Sequence, residues 1–342
     1  MGTRFIVAVS TLILSAAAQA QTPFRCAASP LSTEDRIYSG NWNYDRERVA
    51  NSYAIYAAAS YDAYEPAALP RKPRPFSIAD NDPSLTGMTG RVGSTGWRRF
   101  GPRVSHGNGL SFDVYHKSDA GRLVVLVAYR GTDGWLDADV LANLSWFSQW
   151  INPYDQYRDA RKSFAKVVGD AIKVANGRPI AFVTTGHSLG GGLAQHVAAI
   201  YPCVSTISFN PSFVTNEWAY GEFRPMVRVR VYEDKDVFSR FAGRKGNVAD
   251  DALYRMNGAA GKEVLAQHSM EQLSAAMMRT ALDCTKRGKH CDILKDGNVA
   301  ESFTLFCLRY RARRKLPADP VCVRNQHAVL ASHIKNQVED HE

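Results

Sequence analysis

The sequence carries 6 Cys and 9 His but no Cys-x-x-Cys pair and no cysteine–histidine array of zinc-binding spacing, which excludes a structural zinc cage. No apolar run approaches the roughly 20 residues needed to cross a bilayer, so no transmembrane helix is expected after removal of the N-terminal stretch described below. The nucleotide signatures Gly-x-Gly-x-x-Gly and Gly-x-x-x-x-Gly-Lys-Ser/Thr are both missing, which removes the usual phosphate-cradling loops. There is no internal repeat and no low-complexity block. Charged residues reach only 22% and aromatics 11%, a balance unlike that of disordered, collagen-like or coiled-coil chains. Acidic residues are the scarcer sign, 33 against 42 basic, leaving a net charge of +9 over 342 residues. Such a surplus draws the chain toward anionic surfaces without choosing among phospholipid, cell-wall polymer and nucleic acid.

What is present begins with a targeting pattern. Arg4, the apolar stretch Phe5 to Leu14 and the small residues Ala18-Gln19-Ala20 read as a signal peptide spanning 1–20. Export would place Cys26, Cys203, Cys284, Cys291, Cys307 and Cys322 in an oxidising compartment, where an even count favours disulfides. Six cysteines allow 15 pairings. The preferred one is Cys284–Cys291, Cys307–Cys322 and Cys26–Cys203, with the weight on the two local pairs.

The apolar patterning alternates strand and helix. A helix is expected over Asp45 to Tyr64, then a Pro-, Gly- and Ser-rich loop from Glu65 to Gly109. Leu110 to His116 and Arg122 to Arg130 read as a strand pair turning at Ser118-Asp119-Ala120-Gly121. The second of these strands is apolar almost throughout, as in a strand buried on both faces. A helix over Asp155 to Asn176, a strand over Arg178 to Thr185, a helix over Leu189 to Tyr201, strands at Val204 to Phe209 and Met226 to Tyr232, and a helix over Glu263 to Leu282 follow. This order predicts an α/β fold with a mainly parallel sheet and helices on both faces. The tail from Asp283 holds four cysteines and the basic run Arg309 to Lys315. The expected organisation is a signal peptide (1–20), an α/β domain (21–282) and a disulfide-stapled, basic C-terminal appendage packed on it (283–342).

Chemistry concentrates in Thr185-Gly186-His187-Ser188-Leu189-Gly190-Gly191-Gly192, which contains Gly-x-Ser-x-Gly. A nucleophilic serine must project from a sharp strand-to-helix turn, and side chains at the flanking positions would strike neighbouring backbone. Here the apolar strand Ile180 to Val183 ends just before the pattern and an Ala-rich helix begins just after it. A phosphate-binding turn is the competing reading, and it lacks the Lys and the glycine spacing that it needs. The turn puts Ser188 near a helix N-terminus, where the backbone N–H of Leu189 can stabilise an oxyanion.

With these residues in view the chain resembles the class 3 lipases, a branch of the α/β-hydrolases. The resemblance runs from about Arg46 to about Leu273. It rests on the Ala/Tyr-rich helix ahead of the sheet, on Ala128-Tyr129-Arg130-Gly131-Thr132 at a strand end, on Gln156-Tyr157 opening the long helix, and on the elbow Gly186-His187-Ser188-Leu189-Gly190-Gly191. Tyr129 departs from the Phe usual in that family, and nothing in the resemblance covers the cysteine-rich tail. It implies an α/β-hydrolase-type sheet, a serine ester hydrolase, Thr132 as second oxyanion donor, and no cofactor or metal.

A serine hydroxyl needs a base, and the base needs a carboxylate to fix its tautomer. In this fold the acid and then the histidine follow the serine along the chain. The loop after Tyr232 reads Glu233-Asp234-Lys235-Asp236-Val237-Phe238. The family pattern maps the acid to Asp236, with Asp234 its rival. Among the histidines, His106 and His116 precede the serine. His187 sits inside the elbow and is expected to point elsewhere, and His196 lies within the following helix. His268 is the first after the candidate acids and also matches the family's C-terminal histidine, whereas His290, His327, His333 and His341 fall in the appendage. The expected set is Ser188, Asp236 and His268, with Thr132 and Leu189 as oxyanion hole and Gly186, His187 and Gly190 forming the elbow.

The expected activity is that of a secreted carboxylic-ester hydrolase with a lipid or other ester as substrate. A phospholipase A or lysophospholipase on anionic membranes, and a non-catalytic binding protein on a hydrolase scaffold, are the alternatives. Trp146, Phe147, Trp150 and Ile151 fit either a lid helix that meets an interface or aromatics packed on the sheet. The basic stretches allow peripheral contact with anionic membrane. No nucleic-acid partner is expected, since no recognition motif accompanies the charge.

Overall fold

The computed structural model describes residues 24–31, 46–64, 78–79, 96–131, 153–212, 227–233, 236, 252–256, 268–283 and 297–327. The signal-peptide stretch, the aromatic segment at 135–151, Asp234, Cys284 and Cys291 lie outside them.

Eight strands form one sheet: β1 (Arg98–Arg99), β2 (Val104–Ser105), β3 (Ser111–Asp119), β4 (Arg122–Tyr129), β5 (Ile180–His187), β6 (Val204–Phe209), β7 (Arg228–Glu233) and β8 (Ala252–Met256). They run in the order β1-β3-β4-β5-β6-β7-β8, and β2 also pairs with β3. The pairs from β4 to β8 are parallel, and β1, β2 and β4 lie antiparallel to β3. The helices are α1 (Arg46–Tyr64), α2 (Pro153–Ala175), α3 (Leu189–Ile200), α4 (Met270–Asp283) and α5 (Gly297–Arg313). The fold is therefore α/β, a mainly parallel sheet with helices packed on both faces. None of the described helices is long and apolar enough to cross a membrane.

The period-2 alternation of β4 divides the core. Val124, Leu126 and Ala128 face one buried cluster with residues of α1, α4 and α5, whereas Leu123, Val125, Val127 and Tyr129 face a second cluster with residues of α2 and α3. Both faces of the strand are covered, which explains its unbroken apolar sequence. On the first face Ser60 Oγ of α1 lies 2.9 Å from Thr185 Oγ1 of β5, and Ser274 Oγ of α4 donates to Ala57 O at 3.0 Å. Phe303, Phe306, Cys307, Val321 and Cys322, all beyond residue 282, belong to this same cluster.

Local chemistry moves some boundaries. The β3–β4 turn is only two residues long, Ala120 (φ 46°) and Gly121 (φ 78°), so β3 continues to Asp119, which pairs with Arg122. Positive φ at both positions gives the turn whose twist matches the strands it joins. The Pro- and Gly-rich stretch expected to be loop contributes β1 and β2, because Arg99 and Arg103 are held by Asp113 of β3. The helix expected from Glu263 starts at Met270, with residues 268 and 269 outside it. Ser269 Oγ accepts the Gln272 N–H at 3.4 Å and so occupies an N-cap position. Strand β8 was not anticipated.

Two disulfides join described residues, Cys26–Cys203 and Cys307–Cys322. The first fastens the N-terminal segment, which also exchanges backbone hydrogen bonds with Ile180, to the residue before β6. Arginines of the basic run engage internal partners: Arg311 Nε donates to Pro317 O at 2.6 Å, and Arg314 pairs with Glu271 of α4.

Candidate active site

Ser188 is the single residue between β5 and α3. Its backbone sits at φ 55°, ψ −127°, a region that side chains disfavour by about 1–3 kcal/mol and that persists only when the surroundings impose it. The surroundings here are backbone. A Cβ on Gly186 would lie 2.4 Å from the Gly190 carbonyl and 2.8 Å from Tyr129 O, and one on Gly190 would lie 2.3 Å from Tyr129 O. The elbow is thus pressed against the end of β4, and glycine is the only residue that fits at both flanks. The Ser188 amide donates to Phe209 O at 3.1 Å, and its carbonyl accepts from Gly192 N at 3.1 Å and Ser212 N at 3.0 Å.

The half-buried Ser188 Oγ lies 3.0 Å from His268 Nε2. His268 Nδ1 lies 2.5 Å from Asp236 Oδ2. Asp236 is fully buried and His268 only 7% exposed, so both contacts are shielded from competing water. An Nδ1–H donated to the carboxylate leaves Nε2 with a lone pair directed at the hydroxyl. Asp236 lies three residues past the end of β7, and its N–H donates to Glu233 O at 3.1 Å. His268 immediately precedes the capped start of α4, whose Leu273, Met277 and Met278 anchor it in the core.

The other described histidines have different surroundings. His106 Nε2 lies 3.0 Å from Ser163 Oγ on α2. His196 is buried in α3, where Nε2 accepts from Arg161 Nη1 at 2.9 Å. Burial, then the Arg161 charge, lowers its pKa to about 4. His187 is buried beside His268. Its ring lies 4.7 Å from the His268 ring, centroid to centroid, and it hydrogen-bonds the His268 backbone. Burial first, and the neighbouring His268 second, hold His187 well below the ordinary histidine pKa.

Leu189 opens α3, so its N–H belongs to the first helical turn, where no intrahelical acceptor exists and the helix dipole is positive. Thr132 lies just outside the described residues. Gly131 before it abuts the elbow: its nitrogen would be 2.8 Å from a Cβ on Gly190.

One contributor was not singled out in the sequence. Asn210, buried at φ 42°, takes the Glu233 N–H on Oδ1 at 2.8 Å and gives its own N–H to Val231 O at 2.8 Å. Asn-Pro after an apolar strand signals a turn, but nothing local reveals what the amide reaches.

No family model matches the chain, and no curated protein matches it. Solved structures with partial likeness include a lipase from Rhizopus microsporus var. chinensis (TM-score 0.38, 14% identity, 63% of this chain and 75% of that one). The Rhizomucor miehei lipase propeptide complex has TM-score 0.39 and 13% identity over 66% and 72% of the two chains. A lipase of Yarrowia lipolytica has TM-score 0.39 and 12% identity over 64% and 82%. Likeness at this level leaves the reading of function to the geometry of the site.

Proposed function

We propose that the chain is a secreted serine hydrolase of carboxylic esters, acting on lipid or related ester substrates. One observation carries this reading: the continuous contact from Asp236 Oδ2 through His268 to Ser188 Oγ, at 2.5 and 3.0 Å, with the serine on a strained corner beside a helix N-terminus.

In the proposed reaction His268 Nε2 removes the Ser188 proton as Oγ attacks the ester carbonyl. Asp236 stabilises the resulting imidazolium, and the Leu189 N–H, with Thr132, receives the negative charge that develops on the carbonyl oxygen. His268 then hands its proton to the departing alkoxide, which leaves as the alcohol. A water, deprotonated by the same nitrogen, attacks the acyl-serine, and the proton returns to Oγ as the acid leaves. The disulfides Cys26–Cys203 and Cys307–Cys322 support export to an oxidising compartment.

The test is hydrolysis of p-nitrophenyl esters of graded chain length, alongside phosphatidylcholine and phosphatidylglycerol vesicles, with covalent labelling by a fluorophosphonate. Wild type is expected to hydrolyse esters and take the label, and Ser188→Ala to fold, lose the label and lose roughly 10⁴- to 10⁶-fold in turnover. Ester hydrolysis undiminished in Ser188→Ala, or wild type inert to both esters and label, would refute the assignment. Preference for the vesicles would narrow the substrate to phospholipid.

A further inference from the structure

The geometry points to Asn210 as a positioning residue that sets Asp236 relative to Ser188, through a strut formed by residues 209–212. This inference rests on the reading of Ser188, His268 and Asp236 given above.

The nucleophile and the acid arrive on different strands, β5 and β7, with β6 between them. Their relative position has to be carried across β6, and the residues leaving that strand make the links on both sides. Toward the nucleophile, Phe209 O accepts the Ser188 N–H at 3.1 Å and Ser212 N–H donates to Ser188 O at 3.0 Å, so both peptide groups of the serine are held. Pro211 lies against the next turn of the elbow, where a Cβ on Gly191 would be 2.8 Å from Pro211 Cβ. Toward the acid, Asn210 N–H donates to Val231 O at 2.8 Å, and Asn210 Oδ1 accepts the Glu233 N–H at 2.8 Å. Glu233 O in turn accepts the Asp236 N–H at 3.1 Å. Apart from the Pro211 contact the links are hydrogen bonds within a few residues of a reacting group, and one route from Ser188 to Asp236 passes through the side chain of Asn210.

Asparagine suits the position on two counts. It tolerates φ 42° better than other non-glycine residues. Its amide oxygen also replaces the sheet partner that Glu233 N–H needs at the point where β6 has ended: the parallel register of β6 with β7 stops at Phe209↔Val231. A buried peptide N–H left without an acceptor there would release the turn that follows. A shift of about 1 Å in a supporting carboxylate is enough to cost orders of magnitude in turnover.

The experiment uses Asn210→Gly, which keeps the left-handed backbone accessible but removes the acceptor, and Asn210→Ser, whose short hydroxyl falls back from Glu233. The readings are kcat and KM on a p-nitrophenyl ester, thermal stability, and the downfield proton NMR signal of the His268–Asp236 hydrogen bond. Asn210→Gly is expected to lower kcat about 10- to 100-fold, leave KM within about twofold and displace or broaden the downfield signal. Should Asn210→Gly not fold, the same readings on Asn210→Ser decide. Wild-type kcat with an unmoved signal, or losses of activity that follow the folded fraction with the signal intact, would overturn the positioning role. Asp236→Asn separates the two levels: if it leaves turnover unchanged, the triad reading fails. If it abolishes turnover while Asn210→Gly does not lower it, only the role of Asn210 fails.

Discussion

The ring of His187 packs against that of His268, with centroids 4.7 Å apart and planes tilted by 43°. The residue before the candidate nucleophile thus supports the candidate base. The strand–turn–helix corner that exposes Ser188 turns the preceding side chain inward, beneath the imidazole.

Replacing His187 by Ala should remove that support without touching Ser188 or Asp236. Turnover is expected to fall about tenfold, equivalent to about 1.4 kcal/mol, with KM little changed, whereas His187→Phe, which retains a ring face, should lose less. Burial keeps His187 neutral, so the acid limb of the wild-type kcat/KM profile should follow a single proton. A limb that follows two protons would show that His187 also titrates in the working range.

Gly190 and Gly169 make a controlled pair. A Cβ at Gly190 meets Tyr129 O at 2.3 Å and the Arg130 and Gly131 backbone at 2.8 Å, whereas one at Gly169 in α2 meets nothing within 4 Å. Gly190→Ala should cost about 3 kcal/mol or more, since no flexible side chain can yield. Gly169→Ala should stabilise by about 0.5–1 kcal/mol through helix propensity. Denaturant midpoints of the two variants give the comparison.

A buried ionic network fixes the sheet edge next to the site. Arg99 reaches Asp113 at 2.5 Å and Asp62 at 3.1 Å, Arg103 pairs with Asp113, and Tyr115 donates to Asp62 at 2.7 Å. Asp62 and Asp113 are almost fully buried, so removing the Asp113 carboxylate takes a shielded ion-pair contact from both Arg99 and Arg103. Asp113→Ala is expected to cost about 3–5 kcal/mol, read as a lower urea midpoint. Asp113 pairs in register with Ala128, so activity at the β4 end should fall as well.

His196 gives the fold a defined acid sensitivity. Its folded pKa of about 4 lies below the ordinary histidine value. Above that ordinary value, near 6.5, both states are neutral and the full stability is present. As pH falls from about 6.5 toward 4 the unfolded chain takes the proton first, so stability declines, by on the order of 3 kcal/mol across the window. His187 acts in the same direction. His196→Gln, which still accepts from Arg161, should flatten the dependence of the denaturant midpoint between pH 7 and pH 4.5. An equal slope in variant and wild type would remove His196 as its source.

Much of the fold is legible in local pattern. The unbroken apolar run of β4 implies cover on both faces, and two helix-bearing core clusters provide it. The stop of α3 before Pro202 follows equally from nearby residues. The short β1 and β2 were illegible, because they exist only where Arg99 and Arg103 meet carboxylates of α1 and β3.

For the site, the sequence by itself determined the corner at Ser188, since two glycines and an apolar strand are local requirements that local residues meet. Chain order together with the family resemblance then narrowed the acid to Asp236, with Asp234 its rival, and the base to His268. Tertiary structure alone brought Asp236 to His268 Nδ1 at 2.5 Å, set His187 against His268 and gave Asn210 its partner at the end of β7. Such contacts join residues from tens of positions apart. Their geometry depends on how strands and helices pack, and no periodicity or spacing within one segment encodes it.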